Sequence, residues 1–284
     1  MTATPLPHDP DHDHDHDRGL SHDLPRLVSR RHALGVLGLG AASLGLAACG
    51  GDPGSAGDRR AAPPVATPGT GGGSVGQGEI PEETSGPYPA DGSNGVDVLS
   101  ESGIVRSDIR SSFGTASAVA SGVPLSIELT VIDLQGGDGG PMAGAAVYLW
   151  HCDSVGRYSM YSSGVEGENY LRGVQVADAE GRVGFTSVYP GCYAGRWPHV
   201  HFEVYPSVQG AQSASGRLRT SQLALPQETS EAVYADQRYG DSASNLSQTS
   251  LATDMVFADG YSLQMATLTG SPDRGYTATL NVPV

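Results

Sequence analysis

The residues best placed to do chemistry are His199 and His201, which form His-x-His in the run His199–Tyr205 (HVHFEVY). Alternation along a strand puts both imidazoles on one face, close enough to ligate a single metal ion. Glu203 continues that face, so a two-histidine, one-carboxylate iron or zinc site is one reading. Two tyrosines beside turn glycines offer another donor set. Tyr158 lies in Asp153–Ser159 (DSVGRYS) and Tyr193 in Tyr189–Arg196 (YPGCYAGR). Two hydrogen-bonded sheet histidines, with the tyrosines packing the edge of the fold, are the alternative without chemistry.

These residues need a scaffold, and the pattern beyond Ile80 supplies short apolar segments separated by turn residues. Pro124–Leu134 (PLSIELTVIDL) alternates Leu125, Ile127, Leu129 and Val131 with polar partners, which predicts a half-buried strand. Ala145–His151, Gly184–Val188 and His199–Tyr205 read as further strands, with Met255–Phe257, Ser262–Thr269 and Tyr276–Val282 after them. Strands this short, with Gly and Pro turns and no strongly amphipathic helix, predict an all-β fold: a β-sandwich of short antiparallel strands with long loops. Any helix should be short and lie near Gln227–Tyr234.

Composition removes several function classes. The 284 residues carry a formal charge of −15 and contain no lysine, which excludes Schiff-base catalysis and phosphate loops and disfavours a nucleic-acid face. Ahead of the domain the chain reads as an address. Arg30 and Arg31 precede an apolar run from Val36 to Ala48, in the layout of a twin-arginine export signal, and the run is shorter than the ~20 residues that span a bilayer. Leu46-Ala47-Ala48-Cys49 has the form of a bacterial lipobox, with Cys49 the lipidated residue. Residues 1–48 are thus a signal segment and 49–80 a flexible Gly/Pro/Ala/Ser-rich tether, too poor in large apolar residues to order itself. Residues 81–284 are expected to form the single β-sandwich domain that carries these side chains. The alternating imidazoles and carboxylates of the His8–Asp17 tract could bind a transition metal loosely or form a polar extension discarded with the signal; cleavage of residues 1–48 removes six aspartates and four arginines and leaves the remainder acidic.

Taken together, Ala146–Asp153 (AVYLWHCD), Gly156-Arg157-Tyr158, Pro190-Gly191-Cys192-Tyr193 and Arg196–Phe202 (RWPHVHF) resemble the intradiol ring-cleavage dioxygenase family. Gly86-Pro87-Tyr88, Arg106–Ile109, Asn169–Gly173 and Gly181–Thr186 fall in the family's order, so the likeness spans roughly residues 81–284. The resemblance implies that Tyr158, Tyr193, His199 and His201 bind non-haem Fe(III), that Arg196 lies over the bound catechol, and that Gln222 stands behind it. Iron(III) would stabilise the phenolates against their ordinary pKa near 10, and two phenolates plus a hydroxide would cancel its three charges. His151 has no counterpart among the family's ligands and reads as structural or pocket-lining. The expected substrates are a catechol and O2, with contact to a membrane only through the lipid on Cys49. The protein would be exported, either anchored at the outer face of the cytoplasmic membrane or secreted.

With Cys49 lipidated, Cys152 and Cys192 remain, and in an exported protein such a pair predicts a disulfide. It would join the strand before Tyr158 to the turn carrying Tyr193. Two rival functions stay open: a non-catalytic β-sandwich module for polysaccharide or a protein partner, and a cupin-type metalloenzyme. The second is disfavoured because Tyr205 and Pro206 occupy the positions of its acidic ligand.

Overall fold

A computed structural model describes residues 78–135, 139–212 and 214–284. Arg30, Arg31, Cys49, the His8–Asp17 tract and the tether up to residue 77 lie outside the described residues.

The described residues form two packed sheets. In the first, β1 (Pro124–Asp133) is central, pairing with β2 (Gly140–Pro141), β5 (Arg182–Val188) and β9 (Gly275–Pro283), and β9 carries β8 (Thr267–Ser271). The second runs β4-β3-β6-β7, built from β3 (Ala146–Trp150), β4 (Arg172–Val176), β6 (His199–Tyr205) and β7 (Arg219–Ala224). The expected sandwich is therefore present, with one departure from the antiparallel expectation: β1 and β9 pair in parallel, from Leu125 opposite Tyr276 to Ile132 opposite Pro283. Two short helices, α1 (Gln227–Val233) and α2 (Ser242–Leu246), follow β7.

Alternation on β1 buries Leu125, Ile127, Leu129 and Val131 between the sheets. They meet Val147, Leu149, Val200, Phe202, Val204 and Leu223 from the second sheet, each large side chain contributing about 1.5–3 kcal/mol by leaving water. The second sheet is buried on its other face too. There Tyr148, Trp150 and Tyr205 pack under Ala90, Val98, Leu99 and Ile104 of the segment that precedes β1. Double burial explains why β3 (AVYLW) reads as continuous rather than alternating apolar sequence.

Three differences from the sequence pattern have local causes. β4 and β7 carry too few apolar residues to announce themselves, and form because β3 and β6 offer them free edges. Met255–Phe257 is a turn rather than a strand, since Asp254 Oδ1 accepts the backbone N–H groups of Val256 and Phe257 at 2.8 and 3.3 Å. The strand expected over Ser262–Thr269 begins only at Thr267.

Candidate metal centre

The imidazoles of β6 point to the covered face of the second sheet. His199 Nδ1 donates to the Trp197 carbonyl oxygen at 2.5 Å, which leaves the lone pair on Nε2. The His201 ring stacks on Trp150, its partner across β3, with centroids 4.9 Å apart and planes within 7°. The two Nε2 atoms are 3.0 Å apart, a contact that needs a proton or a cation between the nitrogens. Both histidines are buried, and burial pushes each below the ordinary imidazole value, His199 to about 3. They are neutral imidazoles at neutral pH.

The tyrosines arrive from two loops. Asp153 organises the first: its carboxylate accepts the N–H groups of Val155 and Arg157, the Arg157 side chain and the Tyr170 hydroxyl, turning the chain so that Tyr158 reaches the histidines. Tyr193 follows the Pro190-Gly191 turn and is the partly exposed member of the group. The Tyr158 and Tyr193 hydroxyls lie 3.4 and 3.3 Å from His199 Nε2. Burial raises both phenols, Tyr193 to about 12, so without a cation each keeps its proton.

These separations fit one ion. Two ligands at about 2.0–2.1 Å from a metal, about 90–110° apart, stand about 2.8–3.4 Å from one another. Two oxygen and two nitrogen donors also match the preference of a hard trivalent cation such as iron(III). The carboxylate alternative is not assembled. Glu203 is fully buried but accepts from the Tyr205 hydroxyl at 2.7 Å and faces Arg217 and Thr220. Among the described residues no group of three or more His, Cys, Asp or Glu side chains is placed to hold a metal.

Arg196 is buried beside this centre, donating Nη2 to Gln222 Oε1 at 2.6 Å and Nε to Asp254 Oδ2 at 3.0 Å. Gln222 sits opposite His201 in the β6–β7 register and donates its amide to the Thr84 carbonyl at 2.9 Å. Thr84 leads into Gly86 and Tyr88, which close the site from above. Gly86 has φ 72°, and a Cβ there would lie 3.4 Å from His201 Cε1. The Tyr88 ring packs on Tyr158 with centroids 4.9 Å apart. Asp254 escaped sequence reasoning because its only signal was an acidic residue just ahead of an expected strand.

Two further sequence readings meet the structure here. His151 is buried and structural, bonding Ser187 Oγ through Nε2 and the Cys152 carbonyl through Nδ1, both at 2.7 Å. The expected Cys152–Cys192 disulfide is corrected: both are buried free thiols. Each has a carbonyl partner instead, Gly191 for Cys152 at 3.4 Å and Arg196 for Cys192 at 3.5 Å.

Known proteins resemble this chain in part of its sequence and in its fold. The Dioxygenase family model matches residues 114–209, which include Tyr158, Tyr193, Arg196, His199 and His201 but neither Gln222 nor Asp254. Catechol 1,2-dioxygenase 2 of Acinetobacter lwoffii is 39% identical over 59 residues, 21% of each chain. Catechol 1,2-dioxygenase 1 of the same organism is 34% identical over 119 residues, 35% of each chain. The matched stretches thus cover only about a fifth and a third of these relatives. An intradiol ring-cleavage dioxygenase from Tetranychus urticae superposes with a TM-score of 0.57 at 23% identity, over 72% of this chain and 94% of that one. The chain has the fold of that enzyme.

Proposed function

We propose that the chain is a non-haem iron(III) intradiol dioxygenase, which uses O2 to open a catechol ring between its two hydroxylated carbons and yields a muconate-type diacid. The observation that carries this reading is the convergence of the Tyr158 and Tyr193 hydroxyls on His199 Nε2, with His201 Nε2 3.0 Å from the same atom. A binding module for polysaccharide or protein has no use for four such donors at one buried point. The partial matches to two catechol 1,2-dioxygenases support the same reaction class.

Iron(III) held by these four side chains would supply Lewis acidity, which favours loss of the catechol protons and so an electron-rich catecholate that can react with dioxygen. The protein's own groups do the rest. Tyr158, His199 and His201 are nearly inaccessible and would stay in place as the fixed donors. Tyr193 is partly exposed, so its oxygen, a phenolate when the metal is bound, would be the group that gives way to substrate and takes one catechol proton to become the neutral phenol. Arg196 keeps Nη1 without a hydrogen-bond partner among the described residues, leaving one N–H fork to face negative charge developing on the ring. A preorganised donor of this kind contributes about 2–4 kcal/mol to the transition state.

The deciding experiment is metal analysis of the purified protein with its visible spectrum, followed by oxygen uptake against a panel of catechols. Iron near one equivalent, a tyrosinate-to-iron charge-transfer band and muconate-type products are expected. A colourless, fully metallated protein would overturn the tyrosinate assignment. The N-terminal segment supports export through the twin-arginine route and anchoring by a lipid on Cys49, which would give the enzyme access to catechols outside the cytoplasm.

A further inference from the structure

We propose that Asp254 is the positioning residue for Arg196, fixing which edge of the guanidinium is presented to substrate; the inference rests on the ring-cleavage reading above. The geometry is specific. Asp254 is 0% exposed and its two carboxylate oxygens divide their work. Oδ1 accepts Val256 N–H and Phe257 N–H, which locks the carboxylate to its own turn. Oδ2 accepts Arg196 Nε at 3.0 Å and Trp197 N–H at 2.7 Å, so it grips both the arginine side chain and the backbone just beyond it.

An arginine held only by its Nε could still tilt about that contact. Gln222 removes the freedom by accepting Nη2 at 2.6 Å from the other side. Two anchors on a planar, rigid fork hold its orientation, and the Nη1 amino group with the second Nη2 hydrogen is left to face substrate. Gln222 is itself held by the Thr84 carbonyl, and Asp254 by its turn, so neither anchor can follow the arginine if it moves.

Charge completes the argument. Arg196 is 6% exposed, and an unpaired guanidinium at that depth would be costly. Burial opposes its charge, and the Asp254 carboxylate 3.0 Å from Nε offsets that penalty, so Arg196 remains a cation. Asp254 lets a full positive charge sit beside the centre without spending Nη1 on neutralisation.

The test combines kinetics with a measurement on metal-free protein. Asp254→Asn should retain iron and the visible band, because no ligand is touched, while kcat falls by about tenfold or more with KM little changed. The double variant Arg196→Ala/Asp254→Asn should be no slower than Arg196→Ala alone, and Asp254→Glu should recover part of the loss. In metal-free wild type, the Arg196 Nε–H proton should exchange with water at least about tenfold more slowly than that of an exposed arginine. Wild-type kcat in Asp254→Asn, or fully additive losses in the double variant, would remove Asp254 from this role. Rapid Nε–H exchange in wild type would do so even if every variant failed to fold. A wild type that cleaves no catechol, yet shows the protected Nε–H, would count against the ring-cleavage reading and not against the Asp254–Arg196 clamp.

Discussion

The Gly191 N–H donates to the Asp153 carbonyl oxygen at 3.0 Å, so the loop that carries Tyr158 and the turn that carries Tyr193 are joined backbone to backbone. Contact this close needs glycine: a Cβ at position 191 would lie 2.6 Å from the Ser154 carbonyl oxygen. The cross-link that the cysteines were expected to make is made by main chain. Gly191→Ala should therefore push the loops apart, destabilising the fold by about 2 kcal/mol or more and shifting the visible band of the iron-loaded protein. Thermal melts and absorption spectra check this. An unshifted band at unchanged melting temperature would show that the loops are held elsewhere.

A second brace is the buried Arg172. It donates to the carbonyls of Tyr88, Pro89 and Ser159 and to the hydroxyls of Tyr148 and Ser159, tying the segment over the site to the loop below it. Arg172→Met keeps most of the volume but strips several buried acceptors of their partner. It should cost about 3–5 kcal/mol in urea denaturation. A loss under about 1 kcal/mol would mean that water replaces the guanidinium without penalty.

Much of this was legible in the sequence because it depends on local pattern. The period-2 run from Leu125 to Val131 gave a strand, and the spacing of His199 and His201 put two imidazoles on one face. The ordered motifs brought in Tyr158, Tyr193, Arg196 and Gln222. What escaped depends on tertiary context. Asp254 looks like any acidic residue until the fold sets it against Arg196, 58 positions away. β7 reads as polar (RTSQLA) because its pairing comes from β6 and not from its own side chains. The thiols of Cys152 and Cys192 each face a carbonyl, an orientation that pairing rules based on compartment do not contain.

His151 makes the fold sensitive to acid. Burial holds its pKa down at about 4, against an ordinary value of 6.5. The unfolded chain therefore binds a proton that the folded chain refuses, and stability falls as pH drops from about 6.5 to about 4, by about 3 kcal/mol in all. Above that window the group contributes no pH dependence. Metal-free wild type and His151→Gln should thus differ in the slope of stability against pH between 6.5 and 4, the variant being flatter. Parallel curves would show that the imidazole is not the group responsible.

The twin-arginine and lipobox reading proposed for the N-terminal segment predicts a separable behaviour. Cys49→Ala should release soluble protein while leaving any ring cleavage intact, and replacing Arg30 and Arg31 by lysine should leave precursor in the cytoplasm. Fractionation with immunodetection reads both. Membrane retention of Cys49→Ala at the wild-type level would rule out the lipid anchor without touching the catalytic reading.

The four donors should not behave alike, and the differences follow from where each sits. His199 and His201 bring their Nε2 atoms within 3.0 Å from adjacent positions on one strand face, so removing either opens a gap that no neighbour can fill. His199→Ala and His201→Ala should lose iron outright. Tyr158 is 1% exposed and packed between Tyr88 and the histidines, so Tyr158→Phe preserves the packing while deleting one anionic donor. It should weaken iron retention, alter the band and greatly reduce turnover. Tyr193 is the partly exposed donor, the one expected to give way to substrate. Tyr193→Phe should keep more iron than Tyr158→Phe, and its spectrum should change less when a catechol is added without oxygen, since the displacement has already occurred. Its turnover should still fall, because the oxygen that accepts the catechol proton is gone. Metal analysis, anaerobic titration and oxygen uptake on the four variants separate these outcomes. Equal iron loss and equal spectral response in the two tyrosine variants would show that burial does not distinguish the fixed phenolate from the displaceable one.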